Sequence, residues 1–407
     1  MVKSRISYQK FSKNKCGIIL VNRHQTRIEA VYKLVKHFTR EYDKIIWIGD
    51  CNKLNNQDYI IIIKKIFGTL YKKITFFSYE NILFCDDNYL SLYHISREQK
   101  IFCIFDAALS LRHTNSIKTK RLLSLRSNFT YRLLLSDNLF CCSIHDIYAQ
   151  LQLISPYNLS LTEAQFKQLY MPFYTDKFNI SKRWSQRKHE KSIIKWLRKY
   201  IIYCNLSGGL KVINYTFYFN LTDAEKEDYY QEKQNFLSKN TYCLYLPVVQ
   251  SFQYLYTICE HKIKVFSKIL NNIKQRKEKA IIYVKYMGEV RFLQEVGILR
   301  DYKYVIITGT RNKKRAVKIF LEEADIMICI YKVNIPITFL HDCKNVIYFS
   351  QTFDYLDKNY IFSKLNENIV VRVFDFWVNT TLENMIKDNL RRKVNMINNL
   401  REFLAKI

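Results

Sequence analysis

The 407-residue sequence predicts an α/β fold with two lobes of parallel β-sheet, a helical segment between them and a closing helix at the end. Its first part alternates short apolar runs with helical stripes, as where Gly17–Val21 precedes the apolar pattern of Ile28–Phe38. The same alternation returns later, where the stripe of His261–Asn272 precedes the run Ala280–Val284. Strands separated by helices pair in parallel and are covered on both faces, which is the reason for the predicted class.

The predicted strands of both lobes are short apolar runs bounded by polar segments. In the first lobe, residues 1–156, they are Gly17–Val21, Lys44–Ile48, Ile74–Ser78, Ile101–Phe105 and Arg132–Leu135. In the second lobe, residues 251–380, they are Ala280–Val284, Tyr304–Thr308, Asp325–Ile330, Asn345–Phe349 and Val370–Phe374.

The stretch between the lobes, residues 157–250, is rich in Lys, Tyr and Gln and predicts a helical insertion with a connector. Helices are predicted at 162–170, 187–204 and 222–238, and Leu210–Phe219 alternates like an exposed strand. The last segment, residues 381–407, carries an apolar stripe from Leu382 to Leu404. This stripe predicts a long amphipathic helix that braces the rest.

The chain has 65 Lys and Arg against 36 Asp and Glu, a formal net charge of +29. Such an excess predicts a polyanionic partner, with nucleic acid as the first choice. The alternative is compositional drift in a genome poor in G and C, because the chain also holds 31 Tyr, 27 Phe, only 8 Gly and only 4 Pro. The net charge by itself fits both explanations.

The 11 Cys have no regular spacing and no C-x-x-C pair, so neither a zinc site nor a disulfide framework is predicted. The scattered His24, His94, His113 and His145 have no Cys or carboxylate at ligand spacing, so no metal is predicted. Scattered thiols are typical of a reducing compartment. The start lacks the apolar core of a signal peptide, and no apolar run reaches the roughly 18 residues of a membrane span. We therefore expect a protein that is not secreted and has no membrane partner.

Several short blocks stand in a fixed order along the chain. They are Tyr8-Gln9-Lys10, the strand Gly17–Val21, Ser78-Tyr79-Glu80, the run Ile104–Arg112, and Ile307-Thr308-Gly309-Thr310. Together they resemble the Snf-like (Swi/Snf-type) branch of superfamily 2 helicases and DNA-dependent ATPases, especially its compact viral and phage members. The resemblance covers nearly the whole chain, and it implies two RecA-like lobes that contact nucleic acid.

The two motifs that would handle ATP in such a motor are degenerate in this sequence. The stretch Asn22–Arg27, at the place of the phosphate loop, has no Gly to cradle phosphates, with Thr26 at the Lys position and Arg27 at the Thr position. At the second motif Asp106 remains, but Ala107 stands where the family has Glu. Losing a general base usually lowers the rate by about 100- to 10,000-fold. The resemblance therefore implies no intact catalytic residue and no bound ATP or magnesium.

Further elements of the same site have changed in register. The coupling turn that the family writes Gly-Thr-Pro is Asp137-Asn138-Leu139, and Ile335-Pro336-Ile337 replaces a Gly-containing turn of the second lobe. The stretch Asp357–Asn368, which should supply arginines to the γ-phosphate, contains only Lys358 and Lys364 as cations. Loss at these separate places favours a protein that no longer hydrolyses ATP.

Basic clusters are the candidates for nucleic-acid contact, because the resemblance implies that the loops beside them face the strand. The predicted contact residues are Arg112, Lys118, Lys120, Arg311, Lys313, Lys314 and Arg315. A further cluster, with Trp184 and Trp196 beside it, lies in the insertion at Lys182, Arg183, Arg187, Lys188 and Lys191. For each cluster a solvated charged face is the alternative, and for Trp196 core packing is favoured over base stacking.

The leading hypothesis is a catalytically inactive helicase-like protein that binds nucleic acid, with DNA favoured over RNA, or that docks on a transcription or replication complex. It would serve as an accessory or scaffold subunit beside polymerase or other proteins of a viral or phage transcription or replication complex. Its expected location is the host cytoplasm, the nucleoid or a virus factory, with packaging in the virion as an option. Two alternatives stay open: a divergent, slow ATPase that uses Asp106 and Arg27, and a pure protein–protein adaptor or virion component.

Overall fold

A computed structural model describes residues 6–21, 24–55, 57–136, 139, 144–154, 161–171, 173–175, 181–183, 192–193, 195–205, 211–239, 253–254, 256–308, 313–331, 343–363, 365 and 369–392. This part of the chain falls into two compact units, which divide between residues 209 and 210. Each unit contains one six-stranded sheet in which every strand pairs in parallel with its neighbours.

The sheet of the first unit has the strand order β3-β2-β4-β5-β1-β8. Its strands are β1 (Cys16–Val21), β2 (Lys44–Gly49), β3 (Ile74–Ser78), β4 (Ile101–Asp106), β5 (Phe129–Ser136) and β8 (Ile201–Asn205). All six residues of β1 and of β4 are buried, because helices cover both faces of the sheet. Continuous apolar runs, rather than alternating ones, are what such strands require.

Helices on the two faces form two separate cores. On one face, α1 (Tyr8–Asn14), α2 (His24–His37) and α4 (Gln57–Phe67) pack around Trp47, Phe102 and Tyr131. The other face is covered by helices that pack around Phe105 and Leu134. They are α5 (Tyr79–Phe84), α6 (Asp86–Glu98), α7 (Ile117–Leu125), α8 (Tyr148–Ile154) and α9 (Glu163–Tyr170). A short helix, α3 (Cys51–Leu54), follows β2, and a 3-10 turn, Gly68–Lys73, follows α4.

The sheet of the second unit has the strand order β11-β12-β10-β13-β14-β9. Its strands are β9 (Lys211–Phe219), β10 (Lys279–Val284), β11 (Tyr304–Ile307), β12 (Ile326–Ile330), β13 (Cys343–Tyr348) and β14 (Val370–Val378). Its helices are α10 (Asp223–Lys239), α11 (Glu260–Gln275), α12 (Met287–Glu295), α13 (Lys313–Glu322), α14 (Tyr355–Asn359) and α15 (381–392). A two-stranded antiparallel ladder joins β6 (Phe173–Thr175) to β7 (Ser181–Arg183).

The predicted fold class, α/β with two RecA-like lobes of parallel sheet, is confirmed by these two sheets. The predicted helix at 187–204 is wrong at its end, because residues from Ile201 form β8 beside β1. The predicted strand at 210–219 is present as β9, and it pairs with β14. The stretch 157–250 thus adds a strand to each sheet besides its helices. The finer division of the chain at residues 156, 250 and 380 stays a prediction.

The predicted closing helix is described as far as residue 392. Leu382, Ile386 and Leu390 are buried on one side of it, as the apolar stripe requires, and Met385 is exposed on the other. None of the described helices is both long enough and apolar enough to cross a membrane.

Candidate functional site

The candidate site lies at the carboxyl edge of the first sheet, where ligands bind in open parallel sheets. Register brings the ends of three strands together there, since Leu20 of β1 pairs with Ser136 of β5 and Asp106 of β4 pairs with Leu135. Helix α2 begins at residue 24, just past the end of β1 at Val21. The start of α2 and the carboxylate of Asp106 are therefore neighbours.

The carboxylate of Asp106 is fully buried, and both of its oxygens accept hydrogen bonds from the protein. Tyr59 donates its hydroxyl to Oδ2 at 2.5 Å, and Lys53 donates its ammonium to Oδ1 at 3.2 Å. The backbone N–H of Ala107 also donates to Oδ1, at 2.8 Å. The Tyr79 hydroxyl donates to the backbone carbonyl of Asp106 at 2.9 Å, so the end of β4 is held on several sides.

Arg27, in the first turn of α2, lies next to Asp106. Its side chain is 4% exposed, and Nη1 lies 3.7 Å from Oδ1 of Asp106. Nε and Nη2 donate to the carbonyl oxygen of Val21 at 3.2 and 2.5 Å, which ties the start of α2 back to the end of β1. The sequence resemblance predicts that this guanidinium takes the place of a motor's magnesium-binding hydroxyl. Arg27 and Asp106, which the sequence singled out, are brought together, but as a pair that neutralises itself.

The electrostatics of the site are those of a closed internal network. Burial raises the pKa of the Tyr59 hydroxyl well above its usual value, and the neighbouring Asp106 raises that pKa further. Burial also raises the pKa of Asp50, while Lys53 and a hydrogen bond from Ser110 act against that rise. The Lys53 ammonium interacts with two carboxylates, those of Asp50 and Asp106, so acidic and basic groups alternate in this network.

The donor set does not fit a magnesium ion. Mg²⁺ needs a near-octahedral shell of oxygens, several of them from water. Around Asp106 those positions are taken by the two cations and the tyrosine hydroxyl already described. Within the described ranges there is also no group of three His, Cys, Asp or Glu side chains arranged to hold a metal.

Ala107, the predicted counterpart of the family's general base, has an unusual backbone conformation. Ala107 has φ 54° and ψ 50°, a left-handed conformation that side chains with a Cβ rarely adopt. Ala108 and Leu111 follow it into the core as a short 3-10 turn, Ala108–Leu111, with Leu109 half-buried. Of the altered coupling turn, Leu139 is buried, and residues 137 and 138 lie outside the described residues.

The predicted nucleic-acid contacts of the first unit lie on and just before α7. Lys120 is exposed and Arg112 half-buried, while the Lys118 ammonium lies 5.5 Å from the ring centroid of Tyr79. Arg121 serves the fold, because it donates to the Ile82 carbonyl at 2.7 Å and pairs with Asp86. Thr26 is half-buried on α2.

The corresponding residues of the second unit are described only in part. Lys313 is half-buried and Arg315 exposed at the start of α13, while Arg311 and the side chain of Lys314 lie outside the described residues. The same holds for the side chains at 182–191, Trp184 included, and for Lys364, residues 335–337 and Gly208-Gly209. Trp196 packs against Tyr200 with ring centroids 4.8 Å apart. All these nucleic-acid contacts stay predictions.

Lys358, one of the two cations available in place of the arginines, is bound within its own unit. Its ammonium donates to both carboxylate oxygens of Asp375, at 2.9 and 2.8 Å, and to Oε1 of Gln351 at 2.9 Å. It also lies 4.8 Å from the ring centroid of Trp377. These contacts connect α14 to β14, so the Lys358 ammonium stabilises the second unit.

A second buried polar cluster was not predicted from the sequence. Lys262 on α11 and Glu383 on α15 are almost fully buried, and Glu289 on α12 is fully buried. Lys262 donates to the Thr257 carbonyl at 2.6 Å, and burial is the main cause that lowers its pKa. Gln253 donates to Oε1 of Glu383 at 3.4 Å. In the sequence these residues resemble ordinary solvated helix positions.

No protein-family model and no curated protein matches the chain significantly. Among solved structures it is similar to the SWI2/SNF2 ATPase core of Sulfolobus solfataricus in complex with double-stranded DNA. The two are 13% identical with a TM-score of 0.39, and the match covers 96% of this chain and 91% of that chain.

Proposed function

We propose that the chain is a helicase-like protein that does not hydrolyse ATP and that binds nucleic acid through its basic surfaces. It would act as an accessory or scaffold subunit of a viral or phage transcription or replication complex. The observation that carries the first part is the buried Asp106 carboxylate, which is engaged by Arg27, Lys53 and Tyr59.

Binding of Mg-ATP would require this network to open. Removing one partner from a buried ion pair costs about 3–5 kcal/mol, because the other charge is left buried without compensation. The phosphates would then meet a turn without glycine, and hydrolysis would lack a base, since Ala107 carries only a methyl group. The cost of opening the ion pair, the turn without glycine and the lack of a base all act against ATP hydrolysis. No described residue of the site compensates for them.

The test of the first part is phosphate release from Mg-ATP with and without added duplex DNA, together with direct titration of a fluorescent ATP analogue. We expect no release above background and no saturable binding, for the wild type and for Asp106→Asn alike. Asp106→Asn keeps the shape of the side chain but removes its charge from the buried network. A change in rate therefore reports chemistry only if circular dichroism and the unfolding midpoint show that the variant is folded. DNA-stimulated release that Asp106→Asn abolishes would establish the slow ATPase instead.

The test of the second part is the salt dependence of binding to duplex and single-stranded DNA and to RNA. Each cation that contacts a duplex phosphate contributes about 0.9 to the slope of log K against log salt. We expect Lys118→Gln with Lys120→Gln to lower the slope for duplex DNA by about 2. No binding at ~50 mM salt would favour the protein–protein adaptor.

A further inference from the structure

One outer surface of the first unit carries a dense set of cations away from the carboxyl edge of the sheet. They stand on α2 and its following turn, on α4, and on the 3-10 turn Gly68–Lys73. All of them are exposed except Lys73, which is half-buried. We call this set the α2–α4 basic face, and its members are Lys33, Lys36, Arg40, Lys64, Lys65, Lys72 and Lys73.

Two tyrosines bring these segments onto one surface. The Lys36 ammonium lies 5.6 Å from the ring centroid of Tyr32, and that ring packs edge-on against Phe67 of α4 at 5.5 Å. The Lys73 ammonium lies 5.5 Å from the ring centroid of Tyr42. The Tyr42 hydroxyl donates to the carbonyl oxygen of residue 35 in α2 at 3.1 Å. The cations of α2, of α4 and of the turn Gly68–Lys73 therefore share one surface, and the tyrosine contacts beneath it connect these segments.

None of the seven cations has a carboxylate within ion-pair distance among the described residues. The nearby acids serve other groups. Glu29 accepts from Gln25 at 3.1 Å, Glu41 accepts from the Tyr131 hydroxyl, and Asp43 accepts from the backbone N–H of residue 100 at 2.9 Å.

Several lysines on other helices of the described chain pair with acids one turn away. Examples are Lys264 with Glu260 and Lys226 with Asp223. Helix C-termini do favour cations, and Lys72 and Lys73 lie in the last turn of the 3-10 helix. That effect reaches only the last turn and leaves Lys33 and Arg40 unexplained. Clustered like charges repel one another, so an uncompensated face of this kind is suited to a partner of opposite charge.

We infer that the α2–α4 basic face binds the phosphate backbone of a nucleic acid, as a contact surface additional to the predicted contact residues at 112–120 and 311–315. The inference rests on the proposed nucleic-acid binding and specifies a second place for it. Six of the seven cations are lysines, whose point charges suit phosphates and carry no base specificity. Binding at this face is therefore sequence-independent and positions the polynucleotide along α2 and α4.

The experiment compares two variants of the full chain with equal net charge. The first carries Lys33→Gln, Lys36→Gln, Lys64→Gln and Lys65→Gln. The control carries Lys167→Gln, Lys226→Gln, Lys264→Gln and Lys318→Gln, which removes four lysines that face carboxylates within their own helices. Binding of a 30-base-pair duplex is followed by fluorescence anisotropy between 50 and 200 mM salt.

For the first variant we expect the slope of log K against log salt to fall by about 3 to 4, which is 0.9 for each lost contact. The control variant should keep the wild-type slope within about 1. Unfolding midpoints of both variants verify that neither change disturbs the fold, since exposed substitutions usually alter stability by less than about 0.5 kcal/mol.

The outcomes separate this inference from the proposed function. Equal slopes for wild type and first variant would overturn the inference while leaving nucleic-acid binding elsewhere intact, and this result is also the one expected if the face serves an acidic protein. A wild type that binds no polynucleotide at ~50 mM salt would overturn both. A loss of slope as large in the control as in the first variant would reduce the face to general charge and overturn the inference.

Discussion

Ala107, directly after the buried Asp106, stores backbone strain. A left-handed conformation costs a residue with a Cβ roughly 1–2 kcal/mol, and glycine escapes this cost. We expect Ala107→Gly to raise the free energy of unfolding by up to about 1 kcal/mol, after the larger chain entropy of glycine is subtracted. Urea unfolding measures the change. The control is Ala108→Gly, which should destabilise, because Ala108 is fully buried and lacks positive φ.

Arg27 should act as a structural residue in this chain. We expect Arg27→Ala to lower the free energy of unfolding by about 3 kcal/mol, because Asp106 and the Val21 carbonyl lose their buried partner. Arg27→Lys should lose less, since it keeps the charge but not the planar fork. Arg40→Ala, on an exposed position, is the matched control. Equal effects of Arg27→Ala and Arg40→Ala in urea unfolding would show that the pairing contributes nothing.

The sequence was sufficient to identify some of these residues and not others. Asp106 and Ala107 follow an apolar strand at a recognisable place, and Arg27 sits where the phosphate loop should be. Lys53 and Tyr59 carry no such signal, because they reach Asp106 only through the packing of α3 and α4 beside β4. Tyr59 and Lys53 are 47 and 53 residues from Asp106 in the sequence, so no local spacing pattern could predict that they contact it.

Helix α15 packs against the rest of the second unit through its apolar stripe and also through the buried carboxyl group of Glu383. Burial raises the pKa of Glu383 to about 7, and Lys262 and a hydrogen bond from Gln253 oppose that rise. The folded state thus holds this proton more tightly than the unfolded chain does. Stability from this group is present below the ordinary pKa of 4.5 and is lost as pH rises through about 7.

We expect Glu383→Gln to remove this decline, which amounts to up to about 3 kcal/mol between pH 4.5 and 7. The measurement is urea unfolding at pH 5 and pH 7 for the wild type and the variant. Lys262, Glu289 and Lys358 surround the same site, so the result is read as the difference between the two proteins. Glu260→Gln on an exposed position is the control. An unchanged pH dependence would rule out Glu383 as its source.

The central strands followed their local sequence pattern. Strands β4 and β10 match their predicted runs because buried parallel strands must be continuously apolar. The edge strands β8 and β9 were harder to predict. Residues from Ile201 continue a helical pattern, and only pairing with β1, far back in the chain, makes them a strand. The partner of β9 lies about 160 residues ahead, at Val370, so no local pattern could identify it.

For the whole molecule, the net charge of +29 separates two explanations by their effect on stability. If the charge is compositional drift alone, any salt should relieve self-repulsion, and duplex DNA should act no differently at equal ionic strength. If the charge serves binding, duplex DNA stabilises the folded chain by mass action. At a hundredfold excess over Kd that contributes about 2.7 kcal/mol.

We therefore expect duplex DNA at ~50 mM salt to raise the thermal midpoint of the chain by about 5–10 °C, given about 2–4 °C per kcal/mol for a unit of this size. The shift should vanish near 0.5 M salt, where the released counterions no longer favour binding. Mg-ATP should leave the midpoint unchanged, because Arg27 and Lys53 already neutralise Asp106. A midpoint that follows ionic strength alone, whatever the anion, would identify drift as the origin of the charge. A midpoint raised by Mg-ATP would instead mean that the Asp106 network opens for the nucleotide.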